Sequence, residues 1–144
     1  MRFLILLLVC LPLSAQAQQD RTYIEPRTTS NPDDLPFSGA VQVGDTLYLS
    51  GSLGLKDGAV PEDPGEEARL VLASIETKLK GAGMTMKDLA YVQIFCSDVS
   101  LYDIFNAEYK KHFTGEYPAR AFIGSGPLLR GAHFEVQGIA VKRN

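Results

Sequence analysis

The residues of this chain best suited to chemistry lie in its last third. Arg120 ends the run Tyr117-Pro118-Ala119-Arg120, and Glu135 follows 15 positions later in a terminal β-rich run. Proline fixes its own φ and restricts its predecessor, so Arg120 enters a strand from a stiff turn. A guanidinium held in this way grips a carboxylate through two parallel hydrogen bonds, a fit that lysine does not reproduce. Glu135 can accept from an arginine on a neighbouring strand, or hold a water against an electrophilic carbon. Taken alone, the pair fits a substrate site and a structural or intersubunit salt bridge about equally.

Other chemistries lack their parts. The glycines form neither a phosphate loop nor a dinucleotide fingerprint. A zinc site needs three or four ligands at set spacing, whereas beyond residue 17 the chain has one cysteine, Cys96, and two distant histidines, His112 and His133. His112 reads as helix surface and His133 as strand surface. No nucleophile-elbow pattern surrounds Ser50, Ser52 or Ser125. Cys96 alternates in phase with Ala90, Val92 and Ile94, so it reads as a buried hydrophobe. Neither a bound nucleotide nor a metal is expected.

The N-terminus sets the expected compartment. Met1-Arg2 is a short basic start, residues 3–13 are almost unbroken apolar sequence, and Ala15-Gln16-Ala17 places small residues where a signal peptidase reads. This predicts a signal peptide over 1–17, cleaved after Ala17, and a periplasmic or secreted protein. The apolar run is well short of the ~20 residues of a spanning helix, so no membrane association is expected after cleavage. Cys10 precedes Leu11-Pro12 and lacks a lipidation setting. The remaining 127 residues carry 13 Lys+Arg against 17 Asp+Glu, a net charge of −4. That balance disfavours broad capture of nucleic acid and leaves only a local basic group at Lys110, Lys111, Arg130, Lys142 and Arg143. With one cysteine left, packing rather than a disulfide must hold the fold.

The elements that position these residues follow from periodicity. Residues 18–34 are polar and proline-broken, an extended lead-in, and 35–144 form one domain. Ala40–Val43 and Thr46–Ser50 flank Gly44-Asp45, a hairpin signature. Ser50-Gly51-Ser52-Leu53-Gly54 is either a glycine-kinked strand end or a segment lining a ligand. Ala68, Val71, Leu72, Ile75 and Leu79 define one helical face, predicting a helix from Pro64 to Ala82, with Glu66 and Glu67 at its start and Lys78 and Lys80 at its end complementing the dipole. A strand over 88–98, a helix over 101–113 built on Ile104, Phe105, Tyr109 and Phe113, and strands over 119–123 and 133–142 complete the chain. The order predicts an α+β domain of one sheet with two helices on a face.

Four segments, in order, give these elements a family likeness: Pro36-Phe37-Ser38-Gly39-Ala40-Val41, Gly44-Asp45-Thr46-Leu47-Tyr48-Leu49-Ser50-Gly51, Tyr117-Pro118-Ala119-Arg120, and Phe134-Glu135-Val136-Gln137-Gly138-Ile139-Ala140-Val141. With them the chain resembles the RidA (YjgF) family of reactive imine and enamine deaminases. The resemblance implies a chorismate-mutase-like α+β fold, a homotrimer with clefts between subunits, and cofactor-free hydrolysis of 2-imino acids and their enamines, such as 2-aminoacrylate, to 2-keto acids and ammonia. It implies that Arg120 binds the substrate carboxylate, that Glu135 orients the attacking water, and that Phe37, Ser50, Gly51, Ser52 and Phe122 line the pocket.

The sequence departs from the family pattern at several of these positions. Phe37 stands where tyrosine is common, Ala121 and Phe122 follow the arginine in place of Ser or Thr and Cys, Gln137 replaces an acidic residue, and Ser52 a frequent Gln. A more apolar pocket with a different substrate range follows. The alternatives to a deaminase are a carboxylate-binding or chaperone-like trimer without turnover, and an endoribonuclease, for which the chain shows no base-stacking or basic pattern.

Overall fold

The computed structural model describes residues 20–25 and 35–143, so the 1–17 leader and most of the lead-in lie outside the described residues. Six strands form one mixed sheet: β1 (Arg21–Ile24), β2 (Ala40–Val43), β3 (Thr46–Leu53), β4 (Leu89–Cys96), β5 (Ala119–Gly124) and β6 (Phe134–Val141). Their order across the sheet is β1-β2-β3-β6-β4-β5. Only β4 and β5 run parallel; the other pairs are antiparallel. Among the described residues the α-helices are α1 (Pro64–Gly81) and α2 (Tyr102–Tyr109).

Local chemistry explains the boundaries. Gly44 takes φ 58° in the β2–β3 turn, the left-handed value that a two-residue hairpin requires. The Asp63 carboxylate caps α1 by accepting from the Gly65 and Glu66 amides at 3.1 and 3.2 Å, and Pro64 supplies a preset φ at the first turn. The second helix is shorter than its periodicity suggests: after Tyr109 the chain tightens into a 3₁₀ turn over Lys110–His112. Ile104, counted in its apolar stripe, is exposed, and the buried residues of α2 are Phe105 and Tyr109.

Both helices cover the same face of the sheet. Ala68, Val71, Leu72, Ile75 and Leu79 of α1 and Phe105 of α2 pack on Leu47, Leu49, Val92, Ile94, Cys96, Phe134 and Val136. Cys96 is fully buried there, and burial raises its thiol pKa, as suits a packing residue. The other face, with Val41, Tyr48, Tyr91, Gln93, Phe95, Gln137 and Ile139, has no helix over it among the described residues; Tyr48 is half exposed. Strand β1 was not legible in the lead-in, because its residues are largely exposed and it adds to the sheet edge only by pairing with β2.

Candidate active site

Arg120 projects from edge strand β5 toward the helices, level with buried Val92 of β4. Its Nη1 donates to Asn106 Oδ1 at 2.8 Å and its Nη2 to the Tyr102 hydroxyl at 3.3 Å. The guanidinium carbon lies 4.8 Å from the Tyr109 ring centroid, and 5.7 and 5.9 Å from those of Tyr102 and Phe122. Cation–π contact and two neutral hydrogen bonds thus fix the group without neutralising it. No ion pair among the described residues involves Arg120. A cleft of about 410 Å³ opens beside it, lined also by Tyr102, Asn106, Tyr109, Tyr117 and Pro118.

Three of these partners come from α2. Tyr102, Asn106 and Tyr109 fall at i, i+4 and i+7 and so share one helix face. The sequence reading missed Asn106 and Tyr102, although a polar pair in register with a buried aromatic was a usable signal. The Tyr109 hydroxyl is buried and has no hydrogen-bond partner among the described residues. Burial pushes its phenol up to about 12, against a downward pull from Arg120.

Glu135 lies on the opposite, helix-free face of the sheet, level with Leu53 of β3 and Phe95 of β4. Its carboxylate packs directly over Gly51, so closely that a Cβ at Gly51 would overlap Glu135 Oε1. Gly51 belongs to a bulge, where the β3–β6 register shifts between Leu49 and Ser52. The glycine kink expected of this segment is this bulge. A second cavity of about 320 Å³ is lined by Glu135, Phe37, Gly51, Ser52, Lys78 and Arg130, with leucines between them.

The structure corrects two expectations, the placing of Arg120 beside Glu135 and the surface reading of His133. Arg120 and Glu135 are not on neighbouring strands: β4 lies between β5 and β6, and the two side chains leave opposite faces, so one chain forms neither their salt bridge nor a joint site. In the Ser50–Ser52 segment, Ser50 Oγ donates to the Ser38 carbonyl at 2.7 Å. Phe122 lies beside the Arg120 group, its ring centroid 5.9 Å from the guanidinium carbon and its ring edge-on to Tyr102 at 4.9 Å. His133 is not simple strand surface, because Nδ1 lies 2.7 Å from Glu67 Oε2.

Two charged residues of α1, read from sequence as dipole complements, face inward. Glu67 is fully buried and accepts from the backbone amides of His133 and Phe134 at 2.8 and 3.0 Å, pinning the start of β6 immediately before Glu135. Lys78 is buried and donates from Nζ to Ser52 Oγ at 2.7 Å and to the Ser50 carbonyl at 3.4 Å. Burial lowers the Lys78 pKa, with Glu25 acting in the opposite sense. Among the described residues no cluster of His, Cys, Asp and Glu could hold a metal ion.

These features define an α+β protein with one mixed sheet, two helices on one face, an arginine on the edge strand that has no ion-pair partner among the described residues, and a carboxylate on the opposite face. The chain belongs to the RidA/YjgF family: residues 28–142 match the family model described as endoribonuclease L-PSP. It is similar to the 2-iminobutanoate/2-iminopropanoate deaminase of Mus musculus, 36% identical over 110 residues, covering 74% of this chain and 82% of the mouse protein. Among solved structures it is similar to RidA from a Psychrobacter species, at 26% identity and TM-score 0.72, covering 87% of this chain and 99% of that one. It also resembles Escherichia coli TdcF with bound serine, at 25% identity and TM-score 0.72, covering 76% and 91%.

Proposed function

We propose that this protein hydrolyses reactive 2-imino acids, in equilibrium with their enamines, to 2-keto acids and ammonia, without a cofactor. The observation that carries the reading is the Arg120 guanidinium, fixed by Asn106, Tyr102 and Tyr109 yet paired with no carboxylate among the described residues. Such a group is prepared for an incoming carboxylate. The names of the deaminase relatives and the serine held by a structural relative support a small amino-acid-like ligand.

The chemistry asks little of the protein beyond positioning, because a protonated imine is already electrophilic. Arg120 anchors the α-carboxylate. Glu135 accepts a proton from a water as it adds to the imine carbon and returns one to nitrogen, and the resulting carbinolamine collapses to the keto acid and ammonia. Since Arg120 and Glu135 leave opposite faces, this reading requires two copies, one supplying each residue. We therefore take the working form as a homotrimer in which the bare sheet face of Val41, Tyr48, Tyr91, Phe95 and Ile139 is covered by neighbouring copies. The leader-like residues 1–17 support export, which places the activity outside the cytosol, where the imine supply differs.

The test couples the protein to an amino-acid oxidase that generates imines in situ and measures ammonia release across several amino acids, with mass by light scattering. Acceleration by the wild type and its loss in Arg120→Ala are expected. Equal rates for the two proteins overturn the enzyme reading. Keto-acid binding that is lost in Arg120→Ala, with no turnover in either, would instead establish a binding module.

A further inference from the structure

Glu135 stands in an apolar row that the hydrolysis above leaves unused. On its own face of the sheet it is flanked in register by Leu53 of β3 and Phe95 of β4, and Ile123 of β5 continues the row beyond Phe95. Directly opposed residues bring their Cβ atoms to about 4.5–5.5 Å, so Leu53 and Phe95 border the carboxylate on both sides. The cavity at Glu135 is walled by Leu35, Phe37, Leu53, Leu55 and Leu129. Leu35, Phe37 and Leu129 are exposed, Leu129 to 75%, although large apolar side chains gain by leaving water. The cations of the cavity are committed to neutral acceptors: buried Lys78 donates to Ser52 Oγ and the Ser50 carbonyl, and Arg130 donates to the Gly58 carbonyl at 3.0 Å. Glu25, the remaining charged residue of the lining, repels a second carboxylate as Glu135 does.

We propose that the protein prefers 2-imino acids with a large apolar side chain, branched or aromatic, and that Leu53 and Leu129 set this preference. The inference rests on the reading of the site as one for 2-imino acids and names the substrate class. An imine carbon attacked by a water held on Glu135 lies beside that carboxylate and carries three groups. Arg120 takes the carboxylate and the nitrogen leaves as ammonia, so the side chain is the group that meets the walls of the Glu135 cavity. A methyl group leaves most of a cavity of about 320 Å³ to water, whereas a branched or aromatic group covers its leucines. A charged side chain would lose its hydration against those walls with no free cation to receive it. Burying one methylene is worth about fourfold in affinity, so the three carbons by which a leucine side chain exceeds that of alanine give about 60-fold when fully buried and on the order of tenfold when partly buried.

The experiment measures kcat/KM for ammonia release from imines generated out of alanine, leucine and glutamate and, independently of turnover, the Kd of pyruvate, 4-methyl-2-oxopentanoate and 2-oxoglutarate by calorimetry. Leu53→Ala and Leu129→Ala are run beside the wild type, their folding followed by thermal unfolding; the exposed Leu129 can be truncated without touching the core. The leucine-derived imine should exceed the alanine-derived one by about tenfold, 4-methyl-2-oxopentanoate should bind more tightly than pyruvate by a similar factor, and a folded Leu129→Ala protein should lower both ratios by about threefold or more. Equal or reversed ratios in the wild type, a preference for the glutamate-derived ligands, or ratios unchanged in both variants overturn the proposal. Turnover with no side-chain preference does so while leaving the deaminase reading standing. The expected binding order, sensitive to Leu129 yet with no ammonia released from any imine, retains the side-chain pocket and refutes the deaminase reading instead.

Discussion

Adding one methyl group at Gly51 tests whether the placement of Glu135 matters. A Cβ at that position would overlap Glu135 Oε1 and stand 3.1 and 3.4 Å from its Cδ and Cγ. Gly51 is not among the residues with positive φ, so alanine meets no backbone penalty and the whole conflict falls on the end of one side chain. Swinging Glu135 off its rotamer costs about 0.5–1.5 kcal/mol. Replacing glycine by alanine at a compatible site returns about 0.4–1 kcal/mol through the unfolded chain. The two nearly cancel, so Gly51→Ala should unfold within ~4 °C of wild type. The carboxylate, however, must move by an ångström or more, and a displacement of that size costs on the order of 10²-fold in rate. The oxidase-coupled assay should show that loss in kcat/KM, and Glu135→Ala combined with Gly51→Ala should be no worse than Glu135→Ala alone, because both act through one group. Full activity in a stable Gly51→Ala protein would refute the role of Glu135, and a large loss of stability would refute the packing from which the prediction is drawn.

Two further outcomes follow from the buried polar groups. Glu67→Ala strands the amides of His133 and Phe134 and should lower stability by about 3–5 kcal/mol, read as a shift in denaturant midpoint at constant m; a loss under ~1 kcal/mol would contradict the clamp. Tyr109→Phe removes a hydroxyl with no partner among the described residues and should be neutral or stabilising by up to about 1 kcal/mol. The folded-state pKa of Tyr109, about 12, exceeds the ordinary 10, so the folded protein retains the proton longer; the associated stability is intact below pH 10 and is lost as pH rises toward 12. Wild type should therefore lose stability more steeply than Tyr109→Phe over that window in pH-dependent unfolding.

The sequence by itself determined what is local. The hairpin at Gly44-Asp45, the extent of α1 from Pro64, and the alternation in β4 and β6 all follow from steric rules and burial period acting over a few residues. It also singled out Arg120 and Glu135. Tertiary structure decided how the two stand to each other, because β6 inserts between β3 and β4, and a strand's place in a sheet is a matter of long-range pairing. One intervening strand and opposite faces separate the apparent pair within one chain. The phase of α1 already placed Glu67 and Lys78 beside the apolar stripe of Val71, Ile75 and Leu79, but their charge made the solvent the default reading. Only the fold supplies the partners, two β6-side amides for Glu67 and the bulged β3 for Lys78, that make burying those charges tolerable and give them something to do.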